Sequence, residues 1–533
     1  MTEHLSNAAL AQLSEFVAQR MGFHFPRERW LDLERGIQSA SPAFAFDNVE
    51  SCVQWLLSSP VSQSQIETLA SHITVGETYF FRDAPSFDLL ELRLLPKLIN
   101  RRRATERRLR IWSAGCASGE EPYSIAILLK RMLPDFKDWQ VTILATDINP
   151  DFLAKAADGV YGDWSFRGAS LEFKDRYFTK KPNGRFEILP EIKKMVTFRY
   201  LNLAENSYPS LLSNTNAMDL ILCRNVLMYF AHERARQVVH KLHLSLLDGA
   251  WLIVSACETS HVLFEHFITL NYPGAIFYKK DSHKVSARLS TTIEPPTLGS
   301  MQPIVPTSFT AIASSEVLEV ARTDRSSGAD APESNRSTRQ QTLYAASVDF
   351  YEQGLYEEAA QMLAPWLALE PHDARAASLL ARVYANQGKL AEASRCAKQA
   401  VAADKLNPSC HLLQATILEE QGAIPEAIRA LQRAVYLEPN LVLAHFALGN
   451  IARRQEKFVG AARHFDNVRS LLAGYSPDQV LADFDGMTAG RLMEIMHSTA
   501  SAAALTGRDQ RSIKSPPSTA RKPSIRNAKE ALR

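Results

Sequence analysis

The chain has 533 residues, 46% hydrophobic and 22% charged, with a formal net charge of +2. This length predicts three or four domains at roughly 100–200 residues each, and the composition excludes collagen-like and fully disordered proteins. The small net charge gives no overall electrostatic attraction to nucleic acid or membrane, and no apolar run approaches the roughly 18 residues of a membrane span. The six cysteines form no CxxC pair. We therefore expect a reduced, cytoplasmic protein with no nucleic-acid partner.

The first 84 residues are predicted to form a small helical module. Leu10, Leu13 and Val17 recur at helical spacing. Val53 and Leu56 continue the pattern further along the chain.

Residues 85–280 alternate between apolar strands and helices, which predicts an α/β fold with a parallel sheet covered on both faces. The predicted strands are 109–113, 141–146, 220–223 and 251–255, and the predicted helices are 121–133, 150–157 and 232–247. Residues 176–198 break this rhythm around a Pro-Asn-Gly turn and predict a small antiparallel β-subdomain.

The C-terminal half contains a repeat of 34 residues. Gly354, Gly388 and Gly422 hold this spacing, and Ala359, with its counterparts at 393, 427 and 461, holds it without a miss. A glycine at a turn and small residues at helix crossings indicate stacked helix pairs that resemble tetratricopeptide repeats. We therefore expect an all-α repeat solenoid at 341–475, which would bind a protein or peptide of unknown identity.

Three further segments flank the repeats. Residues 281–340 are rich in Ser, Thr, Pro and Ala and predict a flexible linker. Residues 476–507 are predicted to be capping helices, and residues 508–533 to be a disordered basic tail.

The stretch from Ser113 to Ser124 is the most informative for chemistry, because it follows a strand and precedes a helix. Its small residues allow a ligand to approach the backbone, but its spacing matches neither a GxGxxG fingerprint nor a P-loop. Glu120 and Glu121 would repel phosphate at the helix start and suit a cationic or hydroxylated ligand. These features point to a nucleoside without phosphates.

Asp147 ends the second predicted strand, where a carboxylate can accept hydrogen bonds from both ribose hydroxyls. The alternative is that Asp147 caps the following helix. Two more polar clusters, at 74–83 and 222–230, also contain phenylalanine and other large apolar residues, so composition alone favours core packing for them. The second cluster nevertheless follows an apolar strand, at the sheet edge where ligands bind.

Together these blocks resemble the chemotaxis-receptor glutamate methyltransferase family, called CheR. The motifs are the block from Thr78 to Arg82, the sequence SAGCASGEEPYS from Ser113, the Thr-Asp-Ile at 146–148, and CRNVLMYF from Cys223. The resemblance covers about residues 10–280. It implies a class I, Rossmann-like methyltransferase domain that uses S-adenosylmethionine and methylates glutamates on the cytoplasmic helices of chemoreceptors.

The resemblance also implies the site residues. The cofactor-binding set would be Gly76, Thr78, Arg82, Gly115, Glu121, Asp147, Asn202, Leu203, Arg224, Asn225 and Val226. Within it, Thr78 and Arg82 would lie at the methionine end of the cofactor, Asp147 at the ribose, and the pair at 202–203 along the adenine. Arg82 and Tyr229 would act as catalytic residues by orienting the acceptor carboxylate. Gly76 departs from the Asn that many members carry two residues before the Thr.

Other functions stay open at the level of sequence. One is a methyltransferase for a small molecule or RNA, and another is a cofactor-binding scaffold of a chemosensory complex with little activity. The basic run from Arg101 to Arg110 is either a solvated surface or a contact for an acidic receptor helix. His240 and His243 share a helix face, but a solvated face is favoured over a metal site, and no metal is expected.

Overall fold

The computed structural model describes residues 5–169, 171–281 and 333–476, together with residues 479, 481, 488–490, 492, 493 and 496. Most of the predicted linker, most of the predicted capping helices and the whole predicted tail lie outside the described residues. Within the part that is described, no helix has both the length and the apolar character needed to cross a bilayer.

The chain begins with the predicted helical module, which consists of α1 (Asn7–Met21), α2 (Trp30–Ala40), α3 (Val49–Ser58) and α4 (Gln63–Ile73). The side chains of Leu13, Val17 and Leu33 are fully buried in its core. Helix α1 ends at Gly22, whose φ of 81° is accessible to a residue without a Cβ atom. This turn sends Phe23 toward the α/β domain, where it forms an isolated bridge with Phe230.

The α/β domain contains a seven-stranded sheet in the order β6-β2-β1-β7-β8-β10-β9 and a three-stranded sheet in the order β3-β5-β4. The strands are β1 (Arg108–Ala114), β2 (Gln140–Asp147), β3 (Val160–Tyr161), β4 (Phe178–Lys180), β5 (Phe186–Ile188), β6 (Val196–Tyr200), β7 (Met218–Leu222), β8 (Leu246–Ile253), β9 (Phe267–Tyr272) and β10 (Ala275–Lys280). Strands β6, β2, β1, β7 and β8 run parallel, and β9 and β10 add an antiparallel hairpin at one edge.

Helices cover both faces of the large sheet, as the alternating pattern predicted. They are α5 (Ala84–Leu89), α6 (Leu95–Arg103), α7 (Glu120–Met132), α8 (Pro150–Asp158), α9 (Leu171–Tyr177), α10 (Pro190–Lys193) and α11 (His232–Ser245). Two apolar clusters fill the two interfaces, one around Ile111 and Ile127 and the other around Trp112 and Val238. The predicted α/β fold class is confirmed.

The extent of the antiparallel subdomain is a correction. The prediction assigned residues 176–198 to it, but Val196 to Phe198 belong to β6 and pair in parallel with Ile143 to Ala145 of β2. The small sheet instead recruits Val160 and Tyr161, which precede the predicted segment. A short β-prone run fits either a parallel or an antiparallel neighbour, so its partner is decided by tertiary packing.

The repeats are confirmed as an all-helical region. The described helices are α12 (Glu333–Glu352), α13 (Tyr356–Leu369), α14 (Ala374–Asn386), α15 (Leu390–Ala403), α16 (Pro408–Glu420), α17 (Ile424–Leu437), α18 (Val442–Arg454) and α19 (Phe458–Leu472). They form four consecutive pairs. Helix α12 begins inside the predicted linker. The sequence did not predict this start, because residues 333–340 contain no apolar residue that would reveal a helical period.

Candidate active site

A cavity of about 330 Å³ lies at the carboxyl edge of the parallel strands. It sits beyond the ends of β1, β2 and β7, where the strand order reverses about β1. This switch point is where open α/β sheets bind ligands. The predicted residues that line the cavity are Thr78, Arg82, Gly115, Glu121, Asp147, Asn202, Leu203, Arg224, Asn225, Val226 and Tyr229. Gly76 is the one predicted residue that does not line it.

The loop after β1 brings the backbone close to the cavity. The N–H groups of Gly115 and Cys116 both donate to the carbonyl oxygen of Thr146, at 2.8 and 2.9 Å. Gly115 has a φ of 83°, and a Cβ atom there would lie 2.3 Å from Cγ2 of Val226. The turn therefore requires glycine both for its conformation and for the approach of the loop after β7.

Asp147 projects into the cavity from the end of β2, and its carboxylate is held by the backbone. Oδ2 accepts from the N–H of Ala117 at 2.8 Å, and Oδ1 accepts from the N–H of Asn149 at 2.9 Å. The cap of α8 is Asn149, whose side chain accepts from the N–H groups of Asp151 and Phe152. The alternative that Asp147 is the helix cap is therefore wrong. Burial raises the pKa of Asp147 from 3.8 to about 6, although the backbone hydrogen bonds oppose this shift.

The two glutamates at the start of α7 have different positions. Glu120 is fully buried and accepts hydrogen bonds from the hydroxyls of Ser118 and Ser165, at 2.8 and 2.9 Å. Glu121 lines the cavity, where Oε1 accepts from the hydroxyl of Ser113 at 2.7 Å. Only Glu121 can therefore face a ligand.

Arg224 links three of the separated sequence blocks. Its Nη1 donates to Oε2 of Glu121 at 3.0 Å, and its Nη2 donates to the carbonyl oxygen of Arg82 at 2.8 Å and to Oδ2 of Asp83 at 3.1 Å. The side chain is only 4% exposed. Its Nε is buried and has no hydrogen-bond partner among the described residues. The cavity thus holds a buried cation with one donor left over.

The Phe-rich block at 78–82 serves both core and cavity. Phe80 is fully buried and contacts the rings of Tyr161, Phe166 and Phe178 at centroid distances of 5.0 to 5.1 Å. This anchor places Thr78 and Arg82 at the cavity wall. The composition-based expectation of core packing therefore holds for the phenylalanines and fails for their polar neighbours.

Glu258 is a site residue that sequence reasoning missed. Its Oε1 accepts from the N–H groups of Val226 and Met228, at 2.6 and 3.3 Å. Its Oε2 accepts from those of Asn225 and Ser255, at 2.7 and 3.0 Å. The signal was present, because Ser255 and Glu258 form an S-x-x-E capping box after a strand. Glu258 fixes the loop that carries Asn225, whose φ is 58°.

The N-terminal module closes one side of the cavity, which the sequence did not indicate. The N–H of His24 donates to the carbonyl oxygen of Tyr229 at 2.7 Å. The ring of Phe23 meets that of Tyr229 edge-on at 6.4 Å, and the guanidinium of Arg29 lies 5.6 Å above the same ring. Phe23, His24 and Arg29 all line the cavity, about two hundred residues away from Tyr229 in sequence.

Gly76 has a packing reason to lack a side chain. A Cβ atom at Gly76 would lie 2.3 Å from Cζ of Phe152, and the whole edge of that ring is within 2.7 Å. Phe152 lines the cavity, so its ring occupies the space that a side chain at position 76 would need.

The described residues contain no group of three or more His, Cys, Asp or Glu side chains placed to hold a metal ion. His243 is half-buried with its Nε2 enclosed, and burial lowers the pKa of its imidazole to about 2. The expectation that the face of His240 and His243 is solvated is therefore wrong for His243.

Comparison with known proteins finds similarity over both halves of the chain. The family described as CheR methyltransferase, SAM binding domain, matches residues 76–273, and tetratricopeptide repeat models match residues 350–417 and 412–470. A chemotaxis protein methyltransferase from Borreliella burgdorferi is 32% identical over 258 residues, which cover 48% of this chain and 89% of that protein. Chemotaxis protein methyltransferase 1 from Pseudomonas aeruginosa is 38% identical, over 40% of this chain and 77% of that protein.

Proposed function

This chain belongs to the CheR family of chemotaxis methyltransferases and uses S-adenosylmethionine as its cofactor, and we propose that it methylates glutamate side chains on the cytoplasmic helices of chemoreceptors. The observation that carries the proposal is the convergence of four separated sequence blocks on one cavity. We place the enzyme in the cytoplasm, where such receptor helices would be accessible.

The polar groups that line the cavity support this use of the cofactor. When bound, S-adenosylmethionine supplies a methyl group on a positively charged sulfonium. Asp147 has carboxylate lone pairs beyond the two hydrogen bonds it accepts from the backbone, and they can accept from ribose hydroxyls. Glu121 offers a second carboxylate toward a cationic group, and Arg82 offers a cation toward a carboxylate. The left-handed turn at Gly115 leaves the backbone open beside them.

The acceptor needs no strong general base. A glutamate carboxylate has an ordinary pKa of about 4.3 and is ionised at pH 7. The protein must therefore orient the carboxylate in line with the methyl group and remove water from it. Tyr229 and Arg82 are the residues we assign to this orientation. Tyr229 is suited to it because its backbone is tied to His24 and its ring is packed by Phe23.

Methyl transfer to receptors tests this proposal. The full chain is incubated with radiolabelled S-adenosylmethionine and membranes that contain the organism's own chemoreceptors. We expect base-labile label on a receptor-sized band, which is the behaviour of a carboxyl methyl ester. Asp147→Asn should abolish the label, whereas Asp151→Asn, on the exposed first turn of α8, should not.

Two results would contradict the proposal in different ways. Cofactor binding without label on any receptor would favour the scaffold hypothesis. Base-stable label, or label on another molecule, would mean that the acceptor is not a receptor glutamate.

A further inference from the structure

The repeats lie against the amino-terminal edge of the large sheet, opposite the cavity. Arg108, the first residue of β1, forms an ion pair with Glu420, the last residue of α16, with 3.1 Å between Nη2 and Oε2. The two side chains are 7% and 6% exposed. Gln140, the first residue of β2, donates from Nε2 to the carbonyl oxygen of Glu420 at 2.8 Å. Because a buried ion pair is unfavourable unless both partners are held in place, these contacts indicate a docked array.

The turns inside the helix pairs face the α/β domain. Each contains a residue with a left-handed backbone, and these residues are Gly354, Gly388, Gly422 and Glu456. A Cβ atom at Gly354 would lie 2.0 Å from Cδ2 of Leu244, and one at Gly388 would lie 2.8 Å from Cδ2 of Leu247. The recurring glycine therefore serves a close contact between domains as well as the turn.

The other two turns continue the same contact. Gly422 is more open, since Nε2 of Gln140 is the nearest atom at 3.7 Å. Glu456 pairs with Lys194 across 3.8 Å. The partners of the four turns thus run from the end of α11 and the start of β8, past the start of β2, to Lys194, two residues before β6, so the array follows the edge of the sheet.

A loop of the α/β domain occupies the array. The β6–β7 loop, residues 201–217, places Leu211 against the apolar cluster around α13 to α15 and Leu212 against the cluster around α17 to α19. Both leucines border a small cavity whose other lining residues are Tyr351, Arg382, Ser409, Leu412, Leu413 and Thr416. All six lie on the first helix of their pairs, and we call this surface the first-helix face. Repeat arrays bind ligands on such extended surfaces, and here the ligand is the chain's own loop.

Arginines of the α/β domain hold the loop in place. Arg199 in β6 donates from Nη1 to the carbonyl oxygen of Leu212 at 3.3 Å. Arg110 in β1 donates from Nη2 to Oδ1 of Asn214 at 2.6 Å and to its carbonyl oxygen at 3.0 Å.

The predicted basic run is largely used within the chain. Besides the pair of Arg108 with Glu420 and the hydrogen bonds of Arg110 to Asn214, the run forms ion pairs of Arg102 with Asp219, Arg103 with Asp135, and Arg107 with Asp138. The solvated-surface alternative therefore holds for Arg101, Arg103 and Arg107, which are exposed, but not for Arg108 and Arg110, which are buried.

The same loop forms one wall of the cofactor cavity. Its first three residues, Leu201, Asn202 and Leu203, line the cavity. The carbonyl oxygen of Leu203 accepts from the hydroxyl of Tyr208 at 2.9 Å and from Nζ of Lys241 at 3.1 Å. A short, hydrogen-bonded stretch of chain therefore joins the cavity wall at Leu203 to Leu211 on the first-helix face.

We propose that the repeat array acts within its own chain, binding the β6–β7 loop on its first-helix face and thereby holding the cavity wall at Asn202 and Leu203 in the shape that binds cofactor. A protein that occupies the first-helix face would have to displace Leu211 and Leu212 and would weaken cofactor binding. By linkage, the cofactor would favour the docked array to the same extent.

Matched glycine substitutions in the full chain test the proposal. Gly354→Ala and Gly422→Ala impose the same backbone strain, since φ is 73° and 77°, but only the first collides with Leu244. We expect Gly354→Ala to increase the radius of gyration in X-ray scattering and to raise the cofactor Kd about fivefold, within the usual range of coupling between sites. Gly422→Ala should change neither, and adding Leu244→Ala to Gly354→Ala should restore both.

A second variant covers the case in which Gly354→Ala does not fold. Leu211→Ser with Leu212→Ser removes the apolar contact from the loop side and should raise the cofactor Kd to a similar extent. Equal effects of the two glycine variants, or an undocked array with an unchanged Kd, would overturn the proposal. Because the measured quantity is cofactor binding, failure here is distinct from failure to methylate a receptor.

Discussion

Glu258 provides the sharpest test of how the site is assembled, through the isosteric change Glu258→Gln. The carboxylate accepts four backbone N–H groups on two oxygens. In glutamine one oxygen becomes an NH2 group, which would face N–H donors and accept nothing. Two hydrogen bonds to a charged group are lost, at about 1.5–3 kcal/mol each, so the loop from Asn225 to Met228 should lose at least about 3 kcal/mol of local stability.

Hydrogen exchange and calorimetry together measure this effect. A loss of about 3 kcal/mol corresponds to roughly a hundredfold lower protection of the amides of Asn225, Val226 and Met228. The cofactor Kd should rise in parallel, because Val226 packs against Gly115 in the cavity wall. Glu233→Gln, an exposed change at the start of α11, is the matched control. Unchanged protection in Glu258→Gln would refute the role we assign to this carboxylate.

Changes at Asp147, Arg224 and Gly76 test other parts of the site. Burial raises the pKa of Asp147 to about 6, and ribose hydroxyls donate to its ionised form. The cofactor Kd measured by calorimetry should therefore rise about tenfold per pH unit below 6 and lose this dependence in Asp147→Asn. The raised pKa also stabilises the folded protein fully below pH 3.8, and this contribution to the free energy of unfolding is lost as the pH rises through 6. Arg224→Lys cannot reproduce the bonds to Glu121 and to the Arg82 carbonyl, so it should lower the thermal midpoint and weaken cofactor binding, and an unchanged midpoint would contradict this. Gly76→Ala should lower the thermal midpoint because its Cβ atom meets the ring of Phe152, and Phe152→Leu in the same chain should recover it.

The sequence was sufficient for features that depend on neighbouring residues. Strand β1, helix α7 and the ends of β2 and α8 lie within a residue or two of their predicted positions, because period and composition report local burial. The 34-residue spacing of Gly354 and Gly388 indicated helix pairs for the same reason. The motif blocks identified the family before any contact was known.

Features that join distant residues required the tertiary structure. Val196 to Phe198 pair in parallel with β2, and Asn149 rather than Asp147 caps α8; each outcome depends on which partner is nearest after folding. The approach of His24 to Tyr229 has no counterpart in any local pattern.

The arrangement of domains shows most clearly which features the sequence determined and which the tertiary structure decided. The amino-acid sequence by itself determined an α/β unit and an array of helix pairs, because each has a period that a single segment can display. Only the tertiary structure decided that the array rests on the sheet edge, with Arg108 paired to Glu420 and Leu211 in the first-helix face. Neither partner of such a contact shows a distinctive sequence pattern, because the role of an arginine or a leucine at a surface position depends on the residues it contacts after folding.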